Sequence, residues 1–270
     1  MKMFLTAAGV LVGALLAAQL ILSAHFASRI AELGRRLVSS QRGGAPDQSL
    51  IPTVMRDFAT RNGGRVGAPL AVQMTQNAEM RLQIGQPFFR LDASQLSGTR
   101  EPGFVWQAKG TMSAILPLQV IDSFVEGVGS LEVRIAGSIP VASAAGPETA
   151  KGEAMRFLAE LPWNPDAILN ASGLSWHEID SSAVNVSMET AGGMARVTLH
   201  LDQQGDVIAI EAADRPRAGD TPARWVGRFS DYAQNGNYRW PRHGEIAWDL
   251  QAGEFVYWRG DILSVTAIQE

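Results

Sequence analysis

The chain has 270 residues, 46% apolar and 19% charged, a composition that supports a large core and argues against a disordered protein. The formal charge of −4 hides an asymmetry, because residues 1–42 carry a net +4 and the remainder −8. An acidic domain is unsuited to the phosphate backbone of nucleic acids, and the absence of cysteine excludes disulfides, thiolate metal sites and cysteine nucleophiles.

The first predicted element is an apolar helix. No charged residue occurs from Phe4 to Ala27, and a helix of that length, rising about 1.5 Å per residue, spans the roughly 30 Å hydrocarbon core of a bilayer. A cleaved signal peptide is the competing interpretation. Its apolar region would be shorter, and the plausible cuts place Leu22 or His25 three residues before the cleavage site. We therefore predict an uncleaved single-pass anchor.

The charges that flank this helix bear on its orientation. Lys2 lies on one side, and the other side carries Arg29, Arg35 and Arg36. The positive-inside rule favours a cytoplasmic domain from this balance, and the arginines suit anionic lipid headgroups. We assign residues 1–40 to the anchor and a juxtamembrane basic helix, and residues 41–50, which contain two glycines and a proline, to a linker.

Residues 51–270 are predicted to form a single β-rich domain. A short helix is expected near Pro52–Arg61, and alternation of apolar and polar residues, typical of half-buried strands, follows it. The clearest run is Val184–Ile210, a predicted meander with glycine-containing turns, and Ile246–Ile268 repeats its pattern. Earlier strands are predicted at Ala71–Ile84, Phe88–Ala93, Phe104–Gly110, Leu118–Glu126 and Ser130–Ile139. About ten strands indicate a mainly β fold, a curved antiparallel sheet forming a half-barrel.

One amphipathic helix is predicted at residues 147–161, where Pro147 suits the first helical position and Pro162 ends the helix. One face is apolar, and the other carries Glu153, Arg156 and Glu160. We expect the apolar face to pack on, or plug, the concave side of the sheet and the charged face to form exposed salt bridges. Turned toward the interior, the charged face would instead be a buried cluster and a candidate site.

Few residues suggest chemistry. No G-x-S-x-G, H-E-x-x-H or Walker sequence occurs, and His177 lies beside carboxylates that point to opposite faces of a strand, which favours an ordinary exposed strand. Asp122 and Glu126 share a strand face, where they could act in acid–base chemistry or form a polar strand end. Seven tryptophans include four that could line an apolar cavity or fill a core: Trp225, Trp240, Trp248 and Trp258.

Several short segments resemble a bacterial family classed only as a domain of unknown function, usually found behind one membrane helix. The similar segments are Gly85–Phe89, Phe104–Ala108, Asp122 with Gly127–Gly129, Met155–Glu160, Trp163–Pro165 and Pro241–Trp258. The resemblance covers about residues 68–268 and is most specific at R-F-L-A-E-L-P-W-N-P. It implies no known activity.

By analogy of fold, such domains look like the half-barrels of lipoprotein carriers similar to LolA and LppX, which hold acyl chains. This analogy favours the periplasmic side of a bacterial inner membrane. The carriers' lipidated cysteine is absent here, which excludes a lipoprotein.

The resulting prediction is a non-enzymatic, membrane-tethered domain that binds an acyl chain, a lipid or another apolar ligand, with no cofactor, metal or nucleic acid. The candidate ligand-binding residues are Asp122, Arg156, Glu160, Trp163, Trp248, Tyr257 and Trp258. Two alternatives stay open: a hydrolase-type enzyme using carboxylates near Asp122 and Glu160, and an envelope scaffold that binds a partner through a sheet edge. The oligomeric state is left open.

Overall fold

The computed structural model describes residues 2–67, 69–112, 116–217 and 219–269, and only the helical backbone for residues 2–12. Its centre is one antiparallel sheet, in which the described residues form thirteen strands. In chain order these are β1 (Ala71–Met80), β2 (Phe89–Gly98), β3 (Phe104–Met112), β4 (Leu116–Val125), β5 (Val128–Ile135), β6 (Ile139–Ala145), β7 (Ser175–Asp180), β8 (Ala183–Met188), β9 (Ala195–Leu201), β10 (Val207–Arg217), β11 (Asp220–Asn235), β12 (Tyr238–Leu250) and β13 (Gly253–Ile268).

The sheet consists of two meanders joined at their inner strands. Its order is β6-β5-β4-β3-β2-β1-β13-β12-β11-β10-β9-β8-β7, so the first and last strands of the chain pair in the middle and β6 and β7 are the edges. The predicted fold class, a mainly β curved antiparallel sheet that does not close, is confirmed.

The predicted strand count of about ten is too low, because β6 and β11 were missed. Gly260 interrupts the alternation of the C-terminal run, yet β13 continues through it. An added Cβ there would meet the Trp258 ring at 2.8 Å, so the position needs glycine for a close approach rather than for a turn. Gly227 in β11 is similar, because Ile246 and Ile210 fill the space that its side chain would need.

Four α-helices accompany the sheet in the described residues: α1 (Lys2–Ser40), α2 (Thr53–Arg61), α3 (Pro147–Ala159) and α4 (Pro165–Asn170). Two short 3-10 helices lie at Gln48–Leu50 and Leu161–Trp163. The predicted helix at 147–161 therefore ends two residues early and continues as a chain of tight turns. All six residues of α4 are buried, a second helical segment that the sequence interpretation missed.

Helix α3 closes the open sheet. It contacts β4, β5 and β6 on one side and β8, β9 and β10 on the other. Ala154, Phe157 and Leu158 are at most 2% exposed and join the main core with the inward side chains of the strands. The expectation that this helix plugs the concave side of the sheet is therefore confirmed.

Helix α1 packs against the sheet as well, on the opposite face. It is a single helix rather than an anchor followed by a separate surface helix. Leu37 packs with Val105 and Val125, whose neighbours Phe104 and Phe124 point into the main core. Arg29 pairs with Glu132 and Arg36 pairs with Glu126 across this contact. Two of the three arginines predicted to suit lipid headgroups thus bind the protein's own sheet, whereas Arg35 pairs with Glu32 within α1.

Candidate functional site

The centre of the candidate site is Arg156, which projects from α3 into the sheet interior. Its Nη1 donates to Asp122 Oδ2 on β4 at 2.6 Å, its Nε to Glu160 Oε1 at 2.8 Å, and its Nη2 to Gln95 Oε1 on β2 at 3.1 Å. Gln95 Nε2 in turn donates to Glu160 Oε2 at 2.5 Å. Three backbone elements therefore converge on one guanidinium, which is nearly buried.

Aromatic rings complete the surroundings of Arg156. The guanidinium carbon lies 4.7 Å from the centre of the Phe104 ring and 5.1 Å from that of Trp106, distances at which the negative face of a ring attracts a cation. The indole Nε1 of Trp106 donates to Gln76 Oε1 at 2.9 Å. The charged side chain is thus held between polar partners and two apolar walls.

A second ion pair lies beside the first on the same helix. Glu153 on α3 and Arg215 on β10 are both 8% exposed, and Arg215 Nη2 lies 3.7 Å from Glu153 Oε1. Burial, followed by the negative charge of Asp122, raises the pKa of Glu153 to about 8, although Arg215 and Arg156 oppose the shift. Asp122 Oδ1 and Glu153 Oε2 are buried without a hydrogen-bond partner. A proton on Glu153, shared with Asp122, would satisfy both oxygens.

We call these six residues the Arg156 cluster: Gln95, Asp122, Glu153, Arg156, Glu160 and Arg215. The expectation of an exposed, salt-bridged helix face is wrong, because α3 bridges both halves of the sheet and buries nearly its whole circumference. The interpretation of Asp122 as a polar strand end is wrong too, because Asp122 lies within β4, is 9% exposed and pairs with Arg156 on α3. Glu126, expected beside Asp122, lies in the following turn and pairs with Arg36.

Two members of the cluster were missed in the sequence. Gln95 follows Leu91 and Ala93 on the inward side of β2, so the alternation carried a signal for a buried polar group. No such signal in the alternation pointed to Arg215, because the strand that carries it was expected to end at Ile210. Arg215 also lies 4.1 Å from the centre of the Trp225 ring on β11, the next strand of the chain and its neighbour in the sheet.

Trp163 and Trp258 lie together in the core, next to the end of α3. Trp163 is 2% exposed, donates from Nε1 to the Pro241 carbonyl at 2.8 Å, and makes edge-to-face contacts with Phe229 and Trp258 at ring-centre distances of 5.1 and 6.3 Å. The Trp163 ring is therefore buried against the sheet. The Arg156–Glu160 ion pair lies nearby, where α3 meets the sheet.

Trp248 and Tyr257 form a separate, half-buried group. Their rings stack at 6.1 Å with an interplanar angle of 23°, and Tyr257 OH accepts a hydrogen bond from Trp225 Nε1 at 3.1 Å. Arg217 lies 5.4 Å from the centre of the Trp248 ring. Through Trp225 and Arg215 this group connects to Glu153, so the seven predicted site residues fall into three neighbouring places rather than one.

The sheet interior is filled. Helix α3, the Leu161–Trp163 turn and α4 occupy the concave side that was expected to hold a ligand. Two surface concavities in the described residues lie elsewhere, one of about 740 Å³ near Arg217 and Asp249 and one of about 320 Å³ near Asp92 and His243, and both have mixed polar linings. An apolar ligand would therefore require α3 to move.

The chemistry available in the cluster is binding and proton exchange. Arg156 presents a planar array of donors suited to a carboxylate or phosphate, and Glu153 can hold or release a proton near neutral pH. Among the described residues, no three His, Asp or Glu side chains are arranged to hold a metal ion.

The sequence of this chain matches one known protein family over most of its length. The model of a family of unknown function, DUF6544, matches residues 44–260, most of the chain. The chain belongs to DUF6544. That assignment agrees with the sequence resemblance, and the match includes the Arg156 cluster and the two aromatic groups. No curated protein matches this DUF6544 chain.

Solved structures similar to this DUF6544 chain have low sequence identity. A LolA superfamily protein from Nitrosomonas europaea is 11% identical, with a TM-score of 0.44, over 82% of this chain and 94% of that one. A proposed outer membrane lipoprotein-sorting domain from Vibrio parahaemolyticus is 9% identical, with a TM-score of 0.43, over 79% and 90%. A DUF1329 family protein from Desulfovibrio piger is 10% identical, with a TM-score of 0.43, over 79% and 91%.

Proposed function

We propose that this protein is a membrane-tethered binding domain that takes an amphipathic, acyl-chain-bearing ligand between α3 and the concave face of the sheet. The observation that carries the proposal is the position of α3. It bridges the two halves of the sheet on the side where their edge strands, β6 and β7, do not pair with each other, and we call this gap the seam. A helix in that position can leave without breaking the sheet. The space it vacates would be lined by aromatic and aliphatic side chains of the core.

The Arg156 cluster supports a seam that opens. Buried ion pairs add little net stability compared with apolar residues of similar volume, because desolvation offsets their attraction. A purely apolar α3 would therefore hold the sheet closed at least as well. When α3 moves, Arg156 is released from Asp122 and Gln95 and becomes available to an anionic headgroup, while Phe104 and Trp106, which stay on β3, are uncovered to contact the acyl chain.

The other predicted residues take complementary roles in this proposal. Trp163 and Trp258 would contact the deeper part of the acyl chain, and Trp248 with Tyr257, which are half-buried, would form the rim of the opening. Lys151, at the start of α3, pairs with Asp214 on β10 at 2.6 Å and would help to close the seam.

The tether is α1, which is long and apolar enough to cross a membrane by length and composition. Phe26 is fully buried between this helix and the sheet. Removal of a signal peptide ending at or after Phe26 would empty that contact, which favours an uncleaved anchor. We place the domain on the periplasmic side of a bacterial inner membrane, which the analogy with the lipoprotein carriers favours over the cytoplasmic side given by the flanking charges.

Photocrosslinking tests the binding proposal. The full chain is embedded in nanodiscs that contain a phospholipid with a diazirine in its acyl chain, irradiated, and mapped by peptide mass spectrometry. We expect adducts on α1, which serves as an internal positive control, and also on peptides that contain Trp106 or Trp163. Adducts confined to α1 would contradict the proposal.

Two matched variants sharpen the test. Lys151→Ala removes an ion pair that holds α3 to β10, whereas Arg224→Ala removes the exposed pairs with Glu211 and Asp249, away from α3. An exposed pair contributes up to about 1 kcal/mol, so Lys151→Ala should speed interior labelling about two- to fivefold. Arg224→Ala should leave the rate unchanged, and equal rates in both variants would argue against α3 as the moving element.

A second candidate is catalysis by the same cluster, favoured by the convergence of Asp122 and Glu160 on Arg156 and by the raised pKa of Glu153. Hydrolysis of a p-nitrophenyl acyl ester by the wild-type protein, lost in Glu160→Gln while interior crosslinking persists, would support it. Crosslinking without any hydrolysis would leave binding as the function.

A further inference from the structure

The first half of α1 leaves the domain at one corner of the sheet. Six side chains at a heptad spacing run along the docked face of the helix: Gln19, Ser23, Phe26, Ile30, Leu33 and Leu37. Gln19 Nε2 donates to the Ala136 carbonyl at 2.7 Å, and the Ser138 hydroxyl donates to Gln19 Oε1. The β5–β6 turn, residues 136–138, is therefore fixed to the helix at the level of Gln19.

The position of Gln19 along α1 sets the distance between the domain and the bilayer. Between the charged Lys2 and the docked part lie residues 3–18, which carry no charged side chain, and at about 1.5 Å per residue they extend about 24 Å. The hydrocarbon core is about 30 Å thick, and headgroup layers bring the bilayer to about 40–45 Å. A helix whose undocked apolar segment is this short must draw the β5–β6 turn to the membrane surface in order to cross.

The surface around this turn is apolar. Leu116 on β4 and Ile139 and Val141 on β6 are 37%, 56% and 50% exposed. They lie beside the stretch of α1 that carries Leu20 and Ile21, which are about 70% exposed. We call Leu116, the 136–138 turn, Ile139 and Val141 the β6 corner.

Charge distinguishes the two edges of the sheet. Residues 135–145, which include all of β6, contain no charged side chain, whereas β7 at the other edge carries Glu178 and Asp180. Edge strands in water are usually protected by charges against pairing with other chains. The β6 edge has no such protection except a proline, and its sequence suits a less polar medium.

We propose that the β6 corner lies in the lipid–water interface of the bilayer that α1 enters, so that the domain rests on the membrane instead of extending from it on a flexible tether. We place the β6 corner in the headgroup layer rather than in the hydrocarbon core, because the unpaired backbone groups of an edge strand still require hydrogen-bond partners. The inference rests on the anchoring stated in the proposed function but not on ligand binding.

Depth-dependent quenching tests this placement, and the absence of cysteine allows single labelling sites. The full chain is reconstituted into phosphatidylcholine vesicles as three variants, Ile139→Cys, Ile179→Cys and Leu16→Cys, each labelled with bimane. Ile179 is the matched control, because it is 50% exposed on the opposite edge strand, and Leu16, 59% exposed on α1, reports insertion. Lipid carrying a nitroxide near the headgroup is the quencher.

We expect the label at residue 139 to lose emission in the presence of the nitroxide lipid, as the label at residue 16 does, while the label at residue 179 does not. Quenching at residue 16 with residues 139 and 179 equally unaffected would overturn the inference and leave the anchor intact. Absence of quenching at residue 16 would overturn both the anchor and the inference. Folding of each variant is checked by its thermal unfolding midpoint.

Discussion

Trp163, in the tight turn that follows α3, joins the end of that helix to the C-terminal strands and is almost fully buried. The ring packs edge-to-face against Phe229 and Trp258, and the indole satisfies the Pro241 carbonyl. Gly244 has no side chain where the ring passes, since an added Cβ would lie 2.8 Å from Trp163 Cζ2. The following Asn164 caps α4 and donates to the Gly98 carbonyl.

We predict that Trp163→Ala lowers the free energy of unfolding by about 3–5 kcal/mol, the usual cost of truncating a buried aromatic residue. The loss combines a large cavity with an unsatisfied carbonyl on β12. Urea unfolding followed by circular dichroism measures it. Trp176→Ala, at a half-buried position on the edge strand β7, is the control and should cost clearly less. Equal losses would show that Trp163 does not anchor α3.

Glu153 makes the stability of the folded domain depend on pH. Its pKa of about 8 in the folded state compares with 4.5 for the unperturbed side chain. Between these values the folded protein retains a proton that the unfolded chain releases, so stability falls as pH rises from about 4.5 to about 8. The charged groups that face Glu153 are Asp122 on β4, Arg215 on β10 and Arg156 on α3 itself.

Glu153→Gln should remove that slope, because an amide stays neutral at every pH in the window. At pH 8 or above the variant should exceed the wild-type free energy of unfolding by up to a few kcal/mol, whereas near pH 5 the two should be similar. Glu148→Gln, at an exposed position in the first turn of α3, serves as the control and should retain the wild-type slope. Chemical unfolding across pH 4.5–8.5 would contradict the assignment if both variants behaved alike.

At the level of elements, alternation in the sequence predicted β1–β5, β8 and β9 to within a few residues, because most of their inward positions are apolar, but it ended β10 at Ile210 and missed β11 and the first half of β12. It failed where a structural glycine resembles a turn, as at Gly260, and where a strand carries little alternation, as in β6. The charged side of α3 was misassigned for a different reason. Amphipathicity indicates which face is more apolar, but it cannot indicate that a helix will be enclosed on both sides by distant strands.

The contact between α3 and β5 depends on a glycine. An added Cβ at Gly129 would lie 2.7 Å from both the Cα and the N of Ala150, backbone atoms that cannot rotate away. We predict that Gly129→Ala displaces α3 and destabilises the fold by about 1–3 kcal/mol, as overpacking does elsewhere.

The same variant should raise hydrogen exchange in α3 relative to β12 and β13. Gly44→Ala, where no atom lies within 4 Å of the added Cβ, should change neither quantity. Uniform exchange across these elements in Gly129→Ala would mean that α3 does not open independently of the sheet.

At the scale of the whole molecule, α1, the proposed anchor, is also a part of the folded domain. The sequence favoured an anchor with a linker at residues 41–50, and the hydrophobicity of the helix gave no reason to expect docking. The heptad spacing from Gln19 to Leu37 carried that signal, but the first half of this stretch, up to Ala27, lies in a segment without charged residues, where the docked face does not stand out. Gln41, inside the expected linker, accepts hydrogen bonds from the backbone of Arg100 and Glu101 and is 2% exposed.

This docking predicts a difference between two soluble fragments. A chain that begins at residue 19 retains Phe26 and Leu37, which are at most 1% exposed, whereas a chain that begins at residue 41 loses both and uncovers Val105 and Val125. Full burial of such side chains contributes about 1.5–3 kcal/mol each, so the shorter fragment should be less stable by about 3–6 kcal/mol. The exposed pairs of Arg29 and Arg36 should add little, and salt should not change the difference. Urea unfolding of both fragments at low and high salt measures it, and equal midpoints would mean that α1 only rests on the sheet.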